Sequence, residues 1–90
     1  MTLDELLKAA REGIPEAQYF VGLCYENGLG VNTDKKAAEE WILRSAQTGF
    51  APAQHELSLL LQAKGERSLP EAIEWLRNSA EQGFPLAQYL

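Results

Sequence analysis

One cysteine, one histidine and the lack of any long apolar run narrow the possibilities for this 90-residue chain. Cys24 alone can close no internal disulfide, and unaided it makes no thiolate zinc site. A buried, inert thiol is the expectation. His55 has no sequence partner suggesting a Ser–His–Asp or Cys–His arrangement, so a groove-lining or solvent role is expected over catalysis. The apolar runs fall far short of the roughly 20 residues a membrane-spanning helix needs. Lys and Arg number 8 against 13 Asp and Glu, a formal net charge of −5, and they form no cluster. That excludes a nucleic-acid footprint and a basic surface for anionic lipid. The opening Met1-Thr2-Leu3-Asp4-Glu5 has neither the basic region nor the apolar core of a signal peptide, which predicts a cytoplasmic location. The Gly28-Leu29-Gly30 stretch lacks the third glycine and the lysine of a phosphate loop. Glu39 and Glu40 read as a solvated helix face rather than an acid–base pair. No cofactor or metal is expected, and no enzymatic activity.

What is present is repetition. Trp41, Ser45, Ala46, Gly49, Phe50, Ala53 and Gln54 recur 34 residues on as Trp75, Ser79, Ala80, Gly83, Phe84, Ala87 and Gln88. Upstream, Gly13-Ile14-Pro15-Glu16-Ala17-Gln18-Tyr19 matches Gly49-Phe50-Ala51-Pro52-Ala53-Gln54-His55 at an offset of 36. Gly83 to Tyr89 opens a third copy. A period of this size in a chain allowing one small domain is the mark of a stacked helical repeat.

Each unit reads as two helices. Prolines 15, 52 and 85 are tolerated in opening turns, where the missing N–H has no helical partner. First helices are predicted over residues 15–27 and 52–64, second helices over 35–48 and 69–82. Gly28 suits a left-handed cap, and Asp34 is a good N-cap. Ser68-Leu69-Pro70-Glu71 and Thr2-Leu3-Asp4-Glu5 fit capping boxes. Leu3, Leu6, Leu7 and Ala10 share one helical face, so residues 2–12 read as a capping helix. The first unit is 13–48, the second 49–82, and 83–90 begin a third. The second helices carry apolar stripes, Ala38-Trp41-Ile42-Ser45 and Ala72-Trp75-Leu76-Ser79. The first helix, with Ala17, Phe20, Val21, Cys24 and Tyr25, is apolar over a wider arc, as expected of a helix packed on both sides. Recurrence at the same repeat position predicts that both tryptophans are buried between helices.

The stretch 17–46, AQYFVGLCYENGLGVNTDKKAAEEWILRSA, resembles a SEL-1-like repeat, a relative of the tetratricopeptide repeat. Ala17, Gln18, Tyr19, Gly22, Tyr25, Gly28, Gly30, Val31, Asp34, Ala38, Trp41 and Ala46 carry the match. Val21 and Ser45 are mild departures. In the second unit, Gly65-Glu66-Arg67 replaces the Gly-x-Gly-Val turn, two residues are missing, and Ser68 stands for the Asp. The resemblance implies an all-α, right-handed helical-repeat solenoid of about two and a half units. It also implies adaptor or scaffold work, often in bacterial signalling, secretion or host interaction, with a protein or peptide held on a concave face. In tetratricopeptide-type stacks the first helices line that face. By analogy it comprises Glu16, Tyr19, Leu23, Glu26 and Asn27, then His55, Leu59 and Gln62, then Tyr89. Glu16 and Glu26 would favour a basic or neutral segment. The alternative is a structural segment of a longer repeat protein with no binding activity of its own. Residues 83–90 are too few to cover the preceding apolar stripe, which predicts self-association through that end as a symmetric dimer.

Overall fold

The computed structural model describes residues 2–65 and 69–82. They form five helices: α1 (Leu3–Arg11), α2 (Pro15–Asn27), α3 (Lys35–Gln47), α4 (Ala51–Ala63) and α5 (Leu69–Glu81). No strand occurs among the described residues. The boundaries lie within about a residue of those read from proline, glycine and cap positions, the ordinary scatter of helix ends. The Asp34 carboxylate caps α3 by accepting the Ala37 N–H at 3.0 Å. Gly28 closes α2 in the left-handed region at φ 68°, a conformation that costs glycine little. The chain then turns back, and the Asp34 N–H reaches Tyr25 O at 2.9 Å. At α1 the Thr2 Oγ1 accepts a hydrogen bond from the Glu5 N–H, and the Thr2 hydroxyl donates one to the Glu5 carboxylate, both at 3.2 Å. Ser68 of the second expected capping box lies outside the described residues.

Helices adjacent in sequence pack side by side: α1 on α2, α2 on α3, α3 on α4, and α4 on α5. The buried set is dominated by small side chains: Ala10, Ala17, Ala38, Ala46, Ala53 and Ala72. Two clusters result. Ala10, Ala17 and Val21 are flanked by Leu6, Leu7, Ala9, Tyr25 and Trp41. Ile42, Ala46, Ala53, Leu57, Leu61 and Ala72 are flanked by Tyr19, Leu43, Phe50, Leu60 and Trp75. Each cluster draws on three or more helices, so no helix pair owns a core, the defining property of a solenoid.

Two kinds of hydrogen bond repeat with the sequence. Ser45 Oγ donates to Pro15 O at 2.7 Å, and Ser79 Oγ to Ala51 O at 2.9 Å. These tie the second helix of a unit to the start of its first. The Gln18 amide donates to Ala10 O at 3.1 Å, and the Gln54 amide to Ala46 O at 3.2 Å. Those carbonyls sit in the last turn of α1 and of α3, where they also accept the Gly13 N–H at 3.1 Å and the Gly49 N–H at 3.0 Å. The glutamines therefore tie each unit to the one before. All four side chains are buried, so losing a partner would leave an unsatisfied polar group at a cost of about 1–3 kcal/mol.

The tryptophans differ from expectation. Both are only half-buried and flank the clusters rather than fill them. The Arg44 guanidinium lies over the Trp41 ring, 4.7 Å from its centroid. The helices stand too close for an indole at the centre, and Ile42 and Ala38 occupy that position. Phe20, expected inside, is 51% exposed.

Gly22 measures the close approach. A Cβ there would stand 2.6 Å from Ile42 Cδ1, 2.7 Å from Ile42 Cγ1 and 3.1 Å from Ala38 O. Gly→Ala inside a helix normally gains about 1 kcal/mol. Here the overlap reverses the sign, and Gly22→Ala should destabilise by about 1–3 kcal/mol in urea unfolding. Combining it with Ile42→Val should recover part of the loss. A raised midpoint for Gly22→Ala would show that α2 and α3 are not this close.

Candidate functional site

The face shared by α2 and α4 is built from two first helices in register. Tyr19 is its pivot. Its ring meets Phe50 edge-on at 5.7 Å between centroids and Phe20 at 5.5 Å. Glu26, two helical turns along α2, faces Glu56 of α4. Burial pushes the Glu56 carboxyl up to about 7, helped by the hydrogen bond to and the charge of Glu26. Two carboxylates in one half-buried place resist double ionisation, so the pair holds a proton. Burial also raises the Tyr19 phenol, with Glu56 and then Glu26 adding to the effect.

The face contains part of the set read from sequence. Tyr19 and Glu26 meet there with Glu56, beside half-buried His55. Leu59 is 41% exposed on α4, and Gln62 is exposed one turn on. The exposed Asn27 side chain donates to Leu23 O at 3.0 Å, closing α2 on itself. Glu16 and Leu23 line cavities on the side of α2 that faces α1. Tyr89 lies outside the described residues. Sequence reasoning passed over Glu56 in favour of its neighbour His55. The available signal was the register: Glu56 stands 36 residues after Phe20, and one repeat position holding an acid in one unit and an aromatic in the other marks two different surroundings.

A second feature lies at the α1 end. An apolar groove of about 560 Å³ runs between α1, α2 and the Gly28–Gly30 turn. Its walls include Leu3, Leu6, Phe20, Leu23, Cys24 and Leu29, with Leu29 57% exposed. On the outer side, Lys64 pairs with Glu39 at 2.6 Å. Among the described residues, no cluster of His, Cys, Asp and Glu is placed to hold a metal ion. None of the described helices is long and apolar enough to cross a membrane.

Stacked two-helix units tied by repeating Ser and Gln hydrogen bonds define a helical-repeat protein. The Sel1 repeat pattern matches residues 15–50 and 51–84, and the chain belongs to the Sel1 repeat family. A Sel1 repeat protein from Oxalobacter formigenes superposes with a TM-score of 0.89 at 31% identity, over 94% of this chain and 35% of that one. Chitin synthase regulatory factor 3 of Schizosaccharomyces pombe is 44% identical over 50 residues, 56% of this chain and 5% of that protein. The F-box protein At1g70590 of Arabidopsis thaliana is 42% identical over 88 residues, 97% of this chain and 24% of that protein. The chain thus spans under a quarter of the length of these two relatives. Sel1 repeats are in general protein–protein interaction modules.

The carboxyl pair has a pH signature. Its raised value means the folded chain keeps a proton, between pH 4.5 and about 7, that the unfolded chain has released. Stability from this group is full below that window and lost as pH rises through it. Glu56→Gln mimics the protonated form. Its melting temperature should exceed the parent's by a margin that grows from pH 5 to pH 8. A margin independent of pH would show that the pair does not share a proton.

Proposed function

We propose that the chain is a protein-binding adaptor without catalytic activity of its own, and that it holds a partner segment along the α2–α4 face. The observation that carries this reading is the half-buried Glu26–Glu56 pair beside Tyr19. A lysine or arginine from a partner would displace the shared proton and form charge-assisted hydrogen bonds with both carboxylates. Leu59, on the adjacent α4 surface, would add apolar contact, and aromatic and aliphatic groups beside a charge are the usual anchors of such interfaces. Cys24 and His55 lie on different helices, α2 and α4.

A second reading has its own support. The chain covers 5% and 24% of the two curated relatives, which fits a structural segment of a longer stack. Panning a random peptide library on the pure chain separates the two. The adaptor reading expects enriched peptides carrying Lys or Arg among apolar residues. Their binding should be tighter at pH 8 than at pH 6 and weakened by Glu56→Gln and by Leu59→Ala. An unenriched pool, or binders indifferent to both substitutions, would favour the structural segment.

A further inference from the structure

The turn that leads from α2 toward α3 requires glycine at its first position. Gly28 stands at φ 68°, and a Cβ there would meet Thr33 Oγ1 at 2.7 Å. The residue before it is Asn27, the last of α2, with its side chain exposed. An asparagine followed by glycine carries its own reaction partners. The backbone nitrogen of the next residue is a nucleophile for the side-chain amide carbon, and a glycine puts no Cβ in its way. The folded chain restrains both groups. The Asn27 side-chain amide donates to Leu23 O at 3.0 Å. The Gly28 N–H donates to Cys24 O. The ring that joins them would contain the Asn27 Cα–C bond, so its ψ must leave the helical value before the ring can close. The same turn is fastened from the α3 side. Lys35 Nζ donates to Glu26 O at 3.1 Å, and the Asp34 N–H to Tyr25 O at 2.9 Å.

We infer that Asn27 is a site of spontaneous deamidation, and that its rate is set by opening of the last turn of α2. When the turn opens, the Gly28 nitrogen gives its proton to solvent base and bonds to Asn27 Cγ. The Cγ–Nδ2 bond breaks, and Nδ2 takes a proton from water and leaves as ammonia. The product is a cyclic succinimide. Water then opens the ring at either carbonyl, leaving aspartate or isoaspartate at position 27. No reactant besides water is consumed, and nothing is oxidised or reduced. The product fits the turn less well than the amide did. A carboxylate cannot donate to Leu23 O, and its charge lies at the negative end of the helix macrodipole, next in the chain to Glu26. The isoaspartate also adds a methylene to the backbone just before Gly28 must turn. Conversion is therefore one-way, and it loosens the turn that restrained it. Asn32 and Asn78, the other asparagines, precede Thr33 and Ser79, whose side chains hinder the same attack. The inference does not rest on the adaptor reading.

Incubation of the full chain at pH 8 across a urea series tests this, with peptide mass spectrometry following the amide-to-acid change at each asparagine. In the unfolded chain Asn27 should convert first, ahead of Asn32 and Asn78. In the native chain Asn27 should convert about tenfold or more slowly than in the unfolded one, because the turn must open first. Below the unfolding midpoint the logarithm of that rate should rise with urea less steeply than global unfolding does, since opening one turn exposes little surface. Equal rates in the native and unfolded chains would overturn the gate. A urea dependence as steep as that of global unfolding would do the same. An unfolded chain that keeps Asn27 intact, or loses Asn78 before it, would overturn the site. Asn27→Asp makes the aspartate product directly and should melt below the parent. A melting temperature at or above the parent's would overturn the loosening assigned to the product.

Discussion

The distance between neighbouring helices governs this molecule. Gly22 lets Ile42 lie almost on the α2 backbone, and the buried alanines allow the same closeness elsewhere. Only at such separations can a short serine hydroxyl on α3 reach the first carbonyl of α2, or a glutamine amide reach the end of the previous helix. Packing and hydrogen bonding are therefore one constraint here. Larger core residues would push the helices apart and leave four buried polar side chains without partners. A small domain with marginal stability has little reserve against that loss.

The same closeness sorts the large side chains outward. Trp41, Trp75, Tyr19 and Phe50 border the clusters, and Phe20, Ile14 and Leu29 face solvent. A core of alanines thus yields a surface furnished with aromatic and aliphatic groups. Such a surface suits a family whose repeats bind other proteins.

Helix positions were legible because they depend on local chemistry. Pro15, Gly28 and Asp34 act on backbone groups within a turn, and their effects hold whatever packs nearby. Period 3.6 likewise identified Ala38, Ile42 and Ser45 as inward. It could not separate Ile42 from its neighbour Trp41, since the two differ by one step of rotation and the decision belongs to the width of the gap. The Glu26–Glu56 pair was illegible for another reason. Its members lie 30 residues apart on separate helices, and their shared proton exists only once two repeat units are stacked. The repeat register placed Tyr19 and Glu26 on one first helix and His55 on the next, but gave no sign that Glu26 and Glu56 would meet half-buried between them.

The two glutamine bridges are not equal, and that bears on how firmly each one is anchored. Gln54 donates to Ala46 O and accepts from the Gln82 amide at 2.5 Å, so one side chain ties α4 both back to α3 and on to the end of α5. At the first joint Gln18 donates to Ala10 O, but its own carbonyl oxygen, though buried, has no partner among the described residues. Thr48, in the register of Gln82, is too short to reach, and its hydroxyl turns back to Ser45 O at 2.6 Å. Each bridge spans eight residues, so each sets the bend between successive units over a very short lever. The buried Gln54 amide is held at both ends, whereas the Gln18 amide is held at one, so the second bridge is the better anchored of the two.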